Sequence, residues 1–145
     1  MKTIICIILC CVGSHFAMAQ PDHESVKTAC LNYIEGFYEG DTAKLVKCLK
    51  PGLYKFGFWK DKTSGNYKPD GTMSYQQAIE YARKVFASKH FAKPDAPKKV
   101  ELFEVSEAIA AAKVTAWWGI DYILLSKQDG AWMIEEVLWQ GPLLK

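Results

Sequence analysis

The sequence predicts one α+β domain with its helices on one face of a curved antiparallel sheet. Helical and strand patterns are segregated along the chain: two helices, one strand and a third helix come first, and four strands follow. The predicted order is therefore α-α-β-α-β-β-β-β. The chain has 145 residues, half of them apolar, which suits one domain with a substantial core. It has no internal repeat or low-complexity segment.

The first 19 residues have the order of a cleavable signal peptide. Lys2 gives a short basic start, residues 4–12 are an apolar run, and Ala17-Met18-Ala19 ends on the small-x-small pattern that signal peptidase accepts. The run is shorter than the roughly 20 residues that span a bilayer as a helix. A buried N-terminal helix is the alternative. We therefore expect residues 20–145 to form an exported domain, periplasmic or secreted, with no membrane association after cleavage.

Charge and motifs exclude several classes of function. Without Lys2, 17 basic residues face 16 acidic ones, and this balance argues against a nucleic-acid partner. His23 and His90 lie far apart outside any ligand-spaced motif, so no metal site is expected. The chain also lacks a nucleophile elbow and a glycine-rich phosphate loop, so no cofactor is expected.

Three helices are predicted from apolar periodicity and capping residues. Residues 24–39 carry an apolar stripe at helical spacing. A short second helix is predicted over 42–49, ended by Pro51-Gly52. Ser74 is a suitable N-cap for a third helix over 75–88.

The remaining segments are predicted to form strands and one long loop. Residues 53–60 are aromatic-rich and read as a strand. Residues 61–73 are predicted as a loop, with a short strand near Tyr67 as the alternative. Two arrangements stay open for residues 110–127: a hairpin with a tight turn at Trp118-Gly119, or one strand bent at Gly119. The four later strands are predicted over 99–106, 110–118, 120–127 and 131–139.

Two segments resemble a known family. Residues 33–41, Tyr-Ile-Glu-Gly-Phe-Tyr-Glu-Gly-Asp, resemble the first-helix signature of the nuclear transport factor two-like superfamily, closest to its putative lumazine-binding and SnoaL-like branches. Residues 121–134 and the ending Val137-Leu138-Trp139 resemble the closing hairpin of the same group. The resemblance covers residues 24–140. It implies a cone-shaped, cystatin-like fold in which a curved sheet wraps a long helix and leaves a pocket at its open end. Because members include isomerases, cyclases, dehydratases and binding proteins, the fold does not fix the function.

Two carboxylates are candidates for catalysis. With Trp132 and Ile134 as core positions of the related hairpin, strict alternation directs Glu136 into the cone. Asp121 would face the cone if Trp118-Gly119 is a tight turn, and the opposite side if the strand is continuous. Two carboxyls in an apolar cavity would have raised pKa values and could perform acid–base chemistry. The alternative is that one or both lie solvated at the rim.

The aromatic content favours a pocket that stacks a flat or apolar ligand. Tyr33 and Phe37 share a helix face and are expected to point into the cone. Trp139 and one of the Trp117-Trp118 pair are expected on the outer face of the sheet, where a homodimer would cover them. The candidate ligand-binding residues are Tyr33, Phe37, Trp59, Tyr81, Asp121 and Glu136.

Two lysines and two cysteines each leave two interpretations. Lys55 and Lys60 lie on the aromatic first strand and are expected on a solvated face, although a lysine in the pocket would bind an anionic ligand. Cys30 and Cys48 lie on the apolar stripes of successive helices. They could form a disulfide if their Cα atoms come within about 7 Å. Two buried free thiols are the alternative.

The function that these features favour is small-molecule binding by an exported domain. An isomerase-, cyclase- or dehydratase-type enzyme using Asp121 or Glu136 as acid–base is one alternative. A protein-interaction module acting through the aromatic outer sheet is another. Buried carboxylates in a deep pocket would favour the enzyme, and a filled interior would favour the interaction module.

Overall fold

Three helices and six strands make up residues 19–142, the part of the chain that the computed structural model describes. The predicted signal peptide lies outside the described residues, apart from Ala19. The predicted α+β order is confirmed, with one further strand, β2. The elements are α1 (Ala19–Glu39), α2 (Thr42–Cys48), β1 (Leu49–Lys60), β2 (Tyr67–Met73), α3 (Tyr75–Ser88), β3 (Lys99–Val105), β4 (Ile109–Ala116), β5 (Gly119–Gln128) and β6 (Ala131–Gly141).

The strands form one open sheet in the order β2-β1-β6-β5-β4-β3. Neighbouring strands are antiparallel except β1 and β6, which are parallel. The expectation of an entirely antiparallel sheet is therefore wrong at that pair. Register shifts in the β1–β2, β3–β4 and β5–β6 pairs bend the strands, and the curved sheet wraps the helices on its concave face.

Local capping chemistry explains where α2 and α3 begin. The Asp41 carboxylate accepts hydrogen bonds from the backbone N–H groups of Ala43 and Lys44, at 2.9 and 3.2 Å. Ser74 and Gln77 form a reciprocal capping box at the start of α3. The predicted bounds of α3 and its Ser74 cap are confirmed.

Several boundaries differ from the sequence prediction. Helix α1 begins at Ala19 and not at residue 24. Strand β1 begins at Leu49, so Pro51-Gly52 lies within the strand instead of ending α2. Proline is tolerated there because the pairing of β1 with β6 is interrupted between Leu49 and Tyr54. The second half of the predicted 61–73 loop is β2, an exposed edge strand of the sheet. Because most of its side chains are exposed, its sequence lacks the alternation of apolar and polar residues that predicts a strand.

The β4–β5 segment is a hairpin. Ala116 pairs with Gly119 across a tight turn at Trp117-Trp118, so the continuous bent strand is excluded. Alternate residues of both strands are buried on the concave face. Asp121 is one of them and has no exposed surface.

A β-bulge at Glu135 reverses the faces of β6. Leu125 pairs with Ile134 and Leu124 pairs with Glu136, which leaves Glu135 as the extra residue. Beyond the bulge, Glu136 is exposed on the convex face while Trp139 points into the concave side. The expectations that Glu136 faces the cone and that Trp139 faces outward are both wrong, because a one-residue insertion moves every later side chain to the other face.

Candidate functional site

An aromatic cavity of about 240 Å³ opens at one end of the sheet. Residues from α1, α3, β1, β2, β6 and the Trp117-Trp118 turn line it. The lining consists of Phe37, Lys55, Trp59, Asp70, Met73, Tyr81, Trp117, Trp118 and Trp139. We call this space the aromatic cavity.

Edge-to-face and tilted ring contacts fix the walls of the aromatic cavity. Phe37 packs against Tyr81 and Trp118, with ring centroids 5.7 and 5.8 Å apart. Trp59 and Trp139 contact each other at 6.1 Å on the sheet side. Such contacts hold large rings at defined angles. The walls are therefore largely pre-formed.

Lys55 lies at the floor of the aromatic cavity, only 8% exposed. Its Nζ donates to Tyr33 Oη at 2.7 Å and to Asp121 Oδ2 at 3.3 Å. Tyr33 Oη in turn donates to Asp121 Oδ2 at 2.5 Å. Both Tyr33 and Asp121 have no exposed surface. We call these three residues the buried triad.

The buried triad is tied to the cavity wall. Trp118 Nε1 donates to Asp121 Oδ1 at 2.8 Å, so one carboxylate receives hydrogen bonds from three side chains. Lys55 Nζ also lies 5.4 to 5.9 Å from the ring centroids of Tyr33, Trp118 and Trp139. Contacts of this kind stabilise a cation. Asp121 therefore holds the lysine and Trp118 in place without lining the cavity itself.

One hydrogen-bond donor of Lys55 has no acceptor among the described residues. An ammonium group has three N–H donors, and Tyr33 and Asp121 accept two of them. Within residues 19–142, Lys55 Nζ makes no third hydrogen bond. A ligand in the aromatic cavity could therefore accept the third hydrogen bond.

Burial changes the acidity of two members of the buried triad. Burial lowers the pKa of Lys55 below its ordinary value, although the nearby Asp121 carboxylate opposes the change. Burial, followed by the charge of Asp121 and its hydrogen bond, raises the pKa of Tyr33 well above its ordinary range. Tyr33 is therefore a neutral hydroxyl near neutral pH. Lys55 loses its proton more readily than an exposed lysine does.

The structure brings together some of the predicted site residues. Phe37, Trp59 and Tyr81 line the aromatic cavity, while Tyr33 and Asp121 lie beneath Lys55. Glu136 does not belong to this group, because it lies on the convex face beside exposed apolar side chains. The hypothesis of two catalytic carboxylates in one cavity is therefore wrong.

Several cavity residues were not predicted. The expected solvated position of Lys55 is wrong, and the alternative of a lysine in the pocket is the one observed. The signal was the alternation of β1, since Lys55 shares its face with Leu53 and Trp59. Lys60, at the end of the strand, keeps part of its surface exposed. Of the Trp117-Trp118 pair, Trp117 is 49% exposed at the cavity mouth and Trp118 lines the interior.

The two cysteines lie behind the buried triad. Cys30 and Cys48 are buried free thiols in this structure. Burial raises the pKa of Cys30 to about 12, and burial together with the neighbouring Cys30 raises the pKa of Cys48 even further. Both thiols are thus protonated and unreactive in this form. A Cys30–Cys48 bridge stays a prediction.

The convex face of the sheet is apolar over part of its area. We call this patch the outer aromatic face. It comprises Tyr54, Phe56, Phe103, Tyr122, Leu124 and Leu138.

No cluster of three or more metal-ligating side chains occurs within residues 19–142. None of the helices in that range has the length and apolar character needed to cross a membrane.

Comparison with family models identifies the chain. The model described as "Putative lumazine-binding" matches residues 21–140. The chain belongs to this family. The resemblance to the nuclear transport factor two-like (NTF2-like) superfamily and its putative lumazine-binding branch is therefore confirmed. No curated protein matches the chain.

Solved structures share the fold of this family member at low sequence identity. An NTF2-like protein of unknown function from Silicibacter pomeroyi is 17% identical, with a TM-score of 0.59 over 84% of this chain and 98% of that one. One from Shewanella baltica is 15% identical, with a TM-score of 0.61 over 83% and 94%. A ketosteroid isomerase-like protein from Erwinia carotovora atroseptica is 15% identical, with a TM-score of 0.52 over 82% and 96%. These likenesses concern the fold alone.

Proposed function

We propose that this domain binds a small flat molecule in the aromatic cavity. The ring of the ligand lies among the tryptophans, and an oxygen of the ligand accepts a hydrogen bond from Lys55. The observation that carries the proposal is a buried lysine beneath aromatic walls, one of whose N–H groups has no acceptor among residues 19–142. Pockets with apolar walls and one or two placed polar groups are the usual form of small-molecule sites.

The size of the aromatic cavity limits the ligand. About 240 Å³ is below the range of roughly 300–1,000 Å³ that holds drug-sized ligands. One ring or two fused rings fit this space better than a lipid chain or a peptide. Lumazine, named in the family description, is a flat bicyclic molecule with carbonyl acceptors and has the required chemistry. It is therefore a suitable probe.

The charge of the buried triad limits the polar group of the ligand. Asp121 already balances the Lys55 ammonium, with 3.3 Å between Nζ and Oδ2. A doubly charged phosphate would leave this buried site strongly negative, which is costly in an apolar environment. A neutral carbonyl or a delocalised anion avoids most of that cost. Direct acid–base catalysis by Asp121 on the ligand has less support, because three donors occupy its oxygens and it does not line the cavity.

Export and self-association are parts of the same proposal. The order of residues 1–19 supports a cleaved signal peptide, and an intact mass beginning at Gln20 would test it. The outer aromatic face supports a homodimer, since exposed apolar patches of this kind usually mark interaction sites. The fold alone does not require either property.

Titration with lumazine, followed by tryptophan fluorescence, tests ligand binding. Lys55→Met should raise the Kd by tenfold or more, because a hydrogen bond to a charged group contributes about 1.5–3 kcal/mol. Trp59→Leu should raise it about fivefold, since an aromatic contact contributes roughly 0.5–1.5 kcal/mol beyond its buried area. Phe86→Leu removes an exposed ring on α3 outside the cavity and should leave the Kd unchanged. Equal effects of all three variants would contradict the proposal.

A further inference from the structure

We propose that Lys55 captures carbonyl ligands covalently, as a reversible imine, and that small aromatic aldehydes are a ligand class of the aromatic cavity. The inference rests on the proposed function, because it uses the same cavity. In addition to the hydrogen bond already proposed, the ligand forms a covalent bond to Lys55. Its test does not depend on lumazine.

The position of Lys55 suits this chemistry. Lys55 lines the cavity with its Nζ 5.9 and 5.4 Å from the ring centroids of Trp118 and Trp139, while Tyr81 and Trp117 stand partly exposed at the mouth. An aromatic aldehyde whose ring lies between the tryptophans, with its carbonyl group pointing inward, therefore places that carbonyl beside Lys55. The hydrogen bonds to Tyr33 and Asp121 fix the position of the nitrogen before the ligand arrives. The entropy cost of bringing the reacting atoms together is therefore small.

The reaction needs a free amine and a nearby proton acceptor. Asp121 Oδ2, 3.3 Å from Nζ, can accept a proton from the ammonium directly. Tyr33 Oη offers a relay, since it accepts from Nζ at 2.7 Å and donates to the same carboxylate oxygen at 2.5 Å. Transfer of the proton from Lys55 to Asp121 converts a buried ion pair into a neutral amine and a neutral carboxylic acid. Burial favours that exchange, and the lowered pKa of Lys55 agrees with it.

The bond changes balance without an oxidant or reductant. The Nζ lone pair forms a C–N bond to the carbonyl carbon, and the electrons of the C=O π bond move to oxygen. That oxygen takes up the two protons of the amine and leaves as water while the C=N bond forms, and Asp121 returns the proton that it held to the nitrogen. One amine and one aldehyde thus give one imine and one water. Because Lys55 is only 8% exposed, little water reaches the imine, and this slows the reverse hydrolysis.

Lys60 provides a matched comparison within the same strand. It lies five residues after Lys55, keeps part of its surface exposed, and has its Nζ 5.9 Å from the ring centroid of Tyr67. It is not among the residues that line the aromatic cavity. An exposed lysine is easier to reach, so preferential reaction at the buried Lys55 would require activation by its surroundings.

Reductive trapping with benzaldehyde tests the inference. The full domain is treated with one equivalent of benzaldehyde and sodium cyanoborohydride near pH 7, and peptide mapping locates the benzyl group. We expect severalfold more label on Lys55 than on Lys60, because hydrogen bonds to Tyr33 and Asp121 hold the Lys55 amine in the cavity beside a proton acceptor. Excess lumazine should protect Lys55 and leave the labelling of Lys60 unchanged. Lys55→Arg should remove the main adduct.

The outcomes separate this inference from the proposed function. Label on Lys55 with protection by lumazine supports both. Label spread over exposed lysines, with Lys55 unmodified while lumazine still binds, overturns the imine and leaves the binding proposal intact. Label on Lys55 without lumazine binding supports the imine and counts against lumazine-like ligands. Absence of both overturns both.

Discussion

Replacing Asp121 with alanine is expected to lower the free energy of unfolding by about 3–5 kcal/mol, the range for breaking a buried ion pair from one side. The substitution leaves the Lys55 ammonium buried without a counter-charge. It also removes the acceptor of the Tyr33 hydroxyl and of Trp118 Nε1. Urea denaturation followed by circular dichroism measures the change.

A double-mutant cycle separates the charge from the loss of packing. Asp121→Ala combined with Lys55→Met should recover part of the stability lost in Asp121→Ala, because the second substitution removes the ammonium that the first leaves buried without a counter-charge. Glu80→Ala, which breaks an exposed pair with Arg83 on α3, should change stability by about 0.5 kcal/mol or less. If Asp121→Ala costs no more than Glu80→Ala, the buried triad does not hold the site together.

Leu138→Glu is expected to dissociate the proposed homodimer, raising its Kd by about a hundredfold or more, which corresponds to roughly 2.7 kcal/mol. Leu138 lies within the outer aromatic face, paired with Phe56 on one side and Tyr122 on the other. A glutamate there would be taken out of water on association, and the cost would arise in each protomer. Sedimentation velocity over a concentration series measures the equilibrium.

Val46→Glu is the matched control for the dimer. Val46 is 51% exposed on α2 and Leu138 is 48% exposed, so the two substitutions add the same charge at equally exposed apolar positions. Only the substitution on the outer aromatic face should change the oligomeric state. A wild-type chain that stays monomeric at high concentration would rule out the homodimer.

The helices were predictable because their signals are local. The Ser74–Gln77 capping box and the apolar stripe of α3 lie within a few residues of one another. The parallel pairing of β1 with β6 and the bulge at Glu135 depend on strands that are distant in sequence. This is why strict alternation assigned Glu136 and Trp139 to the wrong faces.

The same distinction explains the site. Phe37, Trp59 and Tyr81 were predicted because the aromatic content of the chain indicates an aromatic pocket, although the same reasoning placed Trp139 on the outer face. Lys55 was expected in solvent because an isolated lysine in a strand usually faces water. Its partners Tyr33 and Asp121 are 22 and 66 residues away in sequence, so the contacts that make its burial tolerable arise only in the folded chain.

The most direct test of ligand binding in the aromatic cavity is a titration of the 15N-labelled protein with lumazine, followed through the indole N–H signals of its five tryptophans. Trp59, Trp117, Trp118 and Trp139 line the cavity, whereas Trp132 is buried elsewhere with its Nε1 donating to Asp22 at 3.0 Å. We expect saturable shifts at the four cavity tryptophans and none at Trp132. Unchanged cavity signals, or shifts confined to Trp132 or to the backbone amides of the outer aromatic face, would contradict the account.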